Sequence, residues 1–208
     1  MKKLFGLLAF MLILPLQACA QEQWKEGEHY EVIADKATQT RQVQEFFSFW
    51  CPHCFRFEGL VKDIQAKLPA DVKFDKVHVN FMGFTTPDVQ EMATAAMMVG
   101  RSMGQEAKLN EAIFKYIHVQ RGAISAQKDL KNIFIINGVD GEQFDKLINS
   151  FGVKNMVRQN NNQITEFREA VHSVPTFIVN GKYKAQFARG MKPNDFIDLV
   201  VWLSQLDN

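Results

Sequence analysis

The sequence predicts an α/β domain that carries an all-helical insertion, and three observations lead there. Strand-like blocks stand towards both ends of the chain, at 30–50, 72–81 and 176–183. Between them, across residues 84–171, the apolar period lengthens to that of helices. A Cys-x-x-Cys pair, Cys51 and Cys54, sits where the strongest strand block meets a helix.

The elements follow in order. Residues 30–33 read as a short strand, and 43–50 as a stronger one, rich in Phe and apolar enough for burial on both faces. Cys54, Phe57, Val61, Ile64 and Leu68 then recur at three- and four-residue steps, an amphipathic stripe that Pro69 ends. Residues 72–81 read as a third strand. Thr86-Pro87 is an N-cap and first-turn pair, opening a helix with Val89, Met92, Ala93 and Ala96 that Gly100 and Gly104 break. Leu109, Ala112, Ile113, Tyr116 and Ile117 mark the next helix. Ser125 caps one carrying Leu130, Ile133 and Phe134, and Asp140 caps one carrying Phe144, Leu147 and Ile148. A longer helix holds Val153, Met156, Val157, Ile164, Phe167 and Val171. Residues 176–179 return to strand, Asn180-Gly181 is a hairpin turn, and the chain comes back through Tyr183. A last helix starts near Pro193. No repeat or low-complexity segment interrupts this order.

A chain of 208 residues, 47% hydrophobic and 23% charged, suits one domain with a large insertion and a real core. The net charge of +1 leaves no electrostatic footprint for nucleic acid. Lys2 and Lys3, the apolar run at 4–14 and Ala18-Cys19-Ala20 together read as a secretory signal peptide. The run is short for a membrane span, which needs roughly 20 apolar residues. Cleavage after Ala20 leaves 188 residues with 22 basic and 23 acidic side chains, a net charge of −1, and two of the three cysteines. The competing reading is a lipoprotein box at Leu16-Gln17-Ala18-Cys19, which would lipidate Cys19; Gln17 fits it poorly. Either route delivers the chain to a compartment where disulfides persist.

Cys51-Pro52-His53-Cys54 beside a strand–helix–strand pattern reads as a thioredoxin-like redox motif. Cys51 falls at the helix tip, where unpaired N–H groups and the helix dipole favour an anion. Pro52 suits the first turn because its missing N–H is not needed there. Cys54 opens the buried stripe. Cys51 is therefore the candidate attacking thiolate and Cys54 the resolving thiol. His53, as a cation or donor beside the Cys51 sulfur, would favour thiolate over disulfide and make the pair more oxidising; the bland alternative is an exposed loop residue. Structural zinc wants four ligands, and neither a second cysteine pair nor ligand spacing among His29, His78, His118 and His172 supplies them. Attached haem needs a histidine at 55, which is Phe. The serious rival is an inert structural disulfide. No metal or cofactor is expected.

The run from Glu45 through Cys54, with Phe57-Glu58, resembles the active-site region of the DsbA family of periplasmic disulfide-forming oxidases. The segment His78-Val79-Asn80-Phe81-Met82-Gly83 and the triplet Val174-Pro175-Thr176 are similar to later family segments. The likeness spans essentially the whole mature chain; Ser173 departs from the Gly common at that place. The resemblance implies a thioredoxin-like fold with an inserted all-helical subdomain: residues 21–83 and 172–208 around an insertion at 84–171. It implies a monomer in the periplasm of a Gram-negative bacterium. There the Cys51–Cys54 disulfide passes to reduced or unfolded exported proteins and is restored by a quinone-linked membrane oxidase.

Three further features bear on the site. From the residues alone Val174-Pro175 is an ordinary trans proline at a strand entry; the resemblance implies a cis bond facing the disulfide. Glu45 interrupts an apolar strand with the parity of Phe47 and Phe49, which places it under the cysteines. A buried carboxylate needs a raised pKa or a cation, and Lys76 on the neighbouring strand is the natural partner, the pair moving a proton to or from Cys54. The alternative is an exposed pair near strand ends. Met82, Met92, Met97, Met98 and Met103 are mostly core, with some available to an adaptable groove. Two other function classes remain: a disulfide isomerase or reductase, and a chaperone with a structural Cys-x-x-Cys.

Overall fold

A computed structural model describes residues 23–206. The predicted signal peptide and Cys19 lie outside the described residues. Along the chain run β1 (Tyr30–Val32), β2 (Gln42–Phe47), α1 (Pro52–Lys67), β3 (Lys73–His78), α2 (Pro87–Ser102), α3 (Glu106–His118) and α4 (Gln127–Ile136). These are followed by α5 (Gly141–Ile148), α6 (Phe151–Glu166), β4 (Thr176–Val179), β5 (Tyr183–Ala185) and α7 (Pro193–Gln205). The strands form one sheet in the order β1-β5-β4-β2-β3. β2 and β3 are parallel, joined through α1, and the other pairings are antiparallel. Helices α2 to α6 all run between β3 and β4.

Alternation along the central strand β2 divides the core. Val43 packs with Val61 and Ile64 of α1 and Phe196, Leu199 and Val200 of α7. Phe46 turns to the other face, where Ile164, Phe167 and Val171 cover it together with Val77 and Ile178. Phe47 reaches into the helical insertion. Its ring meets Phe49 at 5.1 Å and Phe114 of α3 at 5.8 Å, in tilted or edge-on contacts that rings prefer.

β3 is an edge strand, and three outer backbone groups near its end are satisfied by side chains of the insertion. Asn160 of α6 works like a short piece of neighbouring strand: its Oδ1 accepts from the His78 N–H at 3.0 Å and its Nδ2 donates to the His78 carbonyl at 2.9 Å. Arg101 donates to the Lys76 carbonyl at 3.0 Å and pairs with Asp75 at 2.9 Å. Buried backbone groups left unpaired would each cost free energy, so these contacts fix where the insertion docks.

Several boundaries differ from the sequence reading, each for a local reason. β2 ends at Phe47, because Ser48 starts a turn whose carbonyl and hydroxyl accept from the N–H groups of Cys51 and Trp50. β3 ends at His78. Gly100 does not break α2. It lies inside it, and a Cβ there would come within 3.3 Å of Leu109, so the glycine lets α3 approach closely. Gly104, at φ +66, is where the chain turns away. Ser125 is not an N-cap; Asp129 reaches back from the first turn of α4 to accept from Ser125 and Ala126. Phe167 and Val171 lie beyond the end of α6 but remain buried. Thr86 and Asp140 cap α2 and α5 through Val89 and Gln143. Asn180 and Gly181 both take positive φ, as a hairpin turn matching strand twist requires.

Replacing Asn160 by Ala strands the His78 N–H and carbonyl. Urea unfolding should show a loss of roughly 2–4 kcal/mol, the cost of two buried unpaired groups. A loss indistinguishable from zero would mean water takes over both groups.

Candidate active site

The cysteine pair sits at the start of α1, and local geometry explains why. Cys51 is the N-cap residue, with extended backbone (φ −83, ψ 113), and Pro52 occupies the first turn. N-caps normally carry a Ser, Thr, Asp or Asn oxygen to accept an orphan N–H. Here a sulfur does so: the Cys54 N–H donates to Cys51 Sγ at 3.2 Å. The first turn of α1 holds no acidic residue, so no carboxylate competes for the positive end of the helix.

Both cysteines are thiols. Cys51 is held down to about 6 by the thiol of Cys54, against the opposing effect of burial, with further help from the backbone N–H groups of Cys54 and His53 and the charge of Arg56. Burial pushes Cys54 far up, and its hydrogen bond to Cys51 adds to that. One sulfur is thus poised as a thiolate and the other as its proton-bearing partner. Cys51 is only 2% exposed. Its protonated form donates to the Val174 carbonyl at 3.4 Å, and the Val174–Pro175 peptide is cis. Beside it opens a pocket of about 260 Å³ lined by His53, Phe57, Val174, Pro175, Phe177 and Phe187.

Beneath Cys54 lies a buried charge cluster. Lys76 Nζ is 2.5 Å from Glu45 Oε2 and 2.7 Å from Glu58 Oε1, and stands 4.4 Å from the centre of the Phe47 ring. Burial raises the Glu45 carboxyl and outweighs the pull of Lys76. For Lys76 burial works downward, but Glu45 and Glu58 prevail and its pKa is raised. Glu45 Oε1 has no hydrogen-bond partner among the described residues. His78 follows on the same face of β3. The Thr94 hydroxyl gives its proton to the Gln90 carbonyl and so accepts from His78 Nδ1. Burial, with Lys76 nearby, pushes His78 down to about 3, leaving it neutral.

The structure brings together every residue singled out from the sequence: Cys51, Pro52, His53 and Cys54 on the α1 tip, Val174 and Pro175 facing them, Glu45 and Lys76 below. One expectation changes in kind. The His53 ring points to Arg56, whose Nη2 is 2.8 Å from Nδ1, and it is the His53 backbone N–H that assists the Cys51 sulfur. Three residues at the site were given no role in it by the sequence reading. Glu58 is four positions after Cys54, a spacing that puts both on one helix face. Arg56 is three after His53, again one face. His118, at the end of α3, hydrogen-bonds the Phe49 carbonyl at 2.8 Å and stacks on Phe55, which no local pattern announces.

Comparison with known proteins finds the same kind of molecule. Residues 42–200 match the model of a DSBA-like thioredoxin domain. The chain is 37% identical over 176 residues to the thiol:disulfide interchange protein DsbA of Haemophilus influenzae, covering 83% of this chain and 82% of that one. It is 34% identical over 215 residues to the DsbA of Escherichia coli K12, covering 99% of each. The crystal structure of the disulfide oxidoreductase DsbA from Proteus mirabilis superposes with a TM-score of 0.77 at 30% identity, covering 88% of this chain and 98% of that one. A further structure holds Proteus mirabilis DsbA with a non-covalently bound peptide, with a TM-score of 0.76 at 30% identity over 88% of this chain and 99% of that one.

Ultraviolet titration of the dithiol form should show one thiolate appearing with a midpoint of about 6, and mass mapping should place mild alkylation at Cys51 before Cys54. The linked stability has a definite sign. A cysteine whose folded pKa lies below its unfolded value of about 8.5 stabilises the fold fully above that value, and loses the contribution as pH falls through the folded pKa. The stability advantage of the dithiol protein over Cys51→Ser should therefore shrink between about pH 9 and about pH 5. A constant difference across that window would refute a stabilised thiolate.

Proposed function

The chain belongs to the DSBA-like thioredoxin family and is a thiol:disulfide oxidoreductase; on that premise we propose that it is an exported oxidase whose working bond joins Cys51 to Cys54. The observation that carries the assignment of roles is the sulfur N-cap, which stabilises Cys51 as an anion and leaves Cys54 buried and protonated. A pair whose dithiol form is stabilised in this way gives up its disulfide readily.

The reaction is two exchanges. A substrate thiolate attacks Cys51 Sγ of the disulfide, forming a mixed disulfide and breaking the bond to Cys54. The Cys54 sulfur leaves with the electron pair and takes up a proton. A second substrate thiolate then attacks the substrate sulfur of the mixed disulfide. This makes the substrate disulfide and expels Cys51 as the thiolate that the helix end stabilises. The substrate loses two electrons and the enzyme pair gains them. Glu45, with its raised pKa and place beside Cys54, is positioned to hold the proton that Cys54 needs, and Lys76 with Glu58 connects it towards the surface.

The substrates are reduced or unfolded exported proteins, and the His53–Phe187 pocket beside Cys51 is the surface on which an extended segment would lie. A quinone-linked membrane oxidase takes the two electrons back. The Lys2-Lys3 start and the apolar run at 4–14 support export to the periplasm.

Two measurements test this reading. The protein should oxidise a reduced test protein in a cycle that Cys51→Ser abolishes, while Cys54→Ser, offered the disulfide form of that test protein, accumulates mixed disulfides on Cys51 because no second cysteine resolves them. Failure to trap them would remove Cys51 as the sulfur that exchanges with substrate. Glu45→Gln keeps shape but cannot titrate, so the pH dependence of Cys54 release should change; an unaltered pH–rate profile would make the carboxylate a bystander.

A further inference from the structure

Helix α3 ends against the redox turn. His118, its last residue, donates from Nε2 to the Phe49 carbonyl at 2.8 Å, and its ring lies flat on that of Phe55, with centroids 5.1 Å apart and planes at 8°. One turn earlier, Phe114 meets the rings of the same two residues, Phe49 at 5.1 Å and Phe55 at 5.8 Å. Phe49 stands two residues before Cys51, and Phe55 directly follows Cys54. One face of one inserted helix therefore grips the tetrapeptide on both sides. The Phe49 carbonyl belongs to a buried residue beyond the end of β2, and among the described residues no other donor reaches it. An unpaired buried carbonyl is costly, so this bond ties the turn at 48–51 to α3. The same turn carries Cys51, whose sulfur meets the Cys54 N–H at 3.2 Å.

We propose, on the reading of Cys51 as the attacking sulfur, that His118 is a positioning residue: by holding Phe49 and Phe55 together it sets how closely the Cys51 sulfur meets the Cys54 N–H. Hydrogen bonds weaken steeply once distance or angle leaves the favoured range, so a small movement of the turn is felt at the cap. The thiolate of the dithiol form depends on that cap, whereas the disulfide has no anion there to stabilise. Loosening the turn therefore favours the disulfide. The insertion thereby takes part in setting the redox balance of a pair that lies outside it.

The test compares wild type with three replacements of His118. Phe keeps a flat ring on Phe55 but has no donor, Gln brings an amide N–H to nearly the reach of Nε2, and Asn carries the same amide on a shorter arm. His118→Phe and His118→Asn should raise the Cys51 titration midpoint. Both should shift the glutathione equilibrium at neutral pH about two- to fivefold towards the protein disulfide, part of the worth of a helix cap. His118→Gln should stay close to wild type, and the Gln–Asn comparison stands even if the Phe variant does not fold. Phe144→Leu, which truncates the insertion core where α5 packs on Phe134, should lower stability and leave both readouts in place. An unmoved midpoint in Phe and Asn, a Gln variant no better than Asn, or an equal shift in Phe144→Leu would overturn the role of His118. A wild-type midpoint in the ordinary thiol range, or first alkylation at Cys54, would instead overturn the reading of Cys51 itself.

Discussion

The hydrogen bond from the Cys54 N–H to the Cys51 sulfur is a helix cap, and a sulfur cap differs from an oxygen cap in what it does to the capping atom. A serine hydroxyl in the same place stays neutral over the whole biological range. A thiol does not, so the free energy of capping is drawn into its ionisation. Most of the site follows from that coupling. The partner cysteine, one turn along and buried, is left as the proton carrier. The first turn must stay free of carboxylates, and the residue after the cap can be proline because no N–H is needed there.

The second constraint is the burial of charge beneath the pair. Two carboxylates share one ammonium in a space with little water, an arrangement that replacement by apolar residues would often match or exceed in stability. Its presence is better explained by chemistry than by folding. An excess carboxylate over cation leaves room for one proton beside a sulfur that gains and loses one each cycle. The aromatic packing of Phe47, Phe49 and Phe114 around this region keeps solvent out and ties the sheet to the inserted helices.

Much of this was legible before any coordinates. Caps at Thr86 and Asp140 and the Asn180-Gly181 turn depend on a side chain and an amide close in sequence, and such signals are local. The pairing of Glu45 with Lys76 was readable because strand parity and a neighbouring parallel strand leave few partners for a buried carboxylate. Strand ends were not. The apolar run continues through Phe49 and Trp50, but pairing stops where Ser48 bends the chain, and hydrophobicity does not distinguish a buried turn from a buried strand. Gly100 was read as a breaker because composition cannot reveal that α3 lies against it. The ring of His53 was expected at the sulfur, and only a rotamer decides that it turns to Arg56 instead.

The side-chain amide of Asn160 on the outer strand has a meaning beyond docking the insertion. A sheet edge with free N–H and carbonyl groups is a template for any extended chain that drifts past. A protein proposed to handle unfolded chains meets such segments continually, and recruiting them into its own sheet would turn each encounter into the start of an aggregate. With Asn160 occupying the end of β3 and Arg101 the Lys76 carbonyl, that stretch of the edge is already taken. An extended chain that reaches the end of β3 finds no free partner there, and the enzyme stays free to let it go.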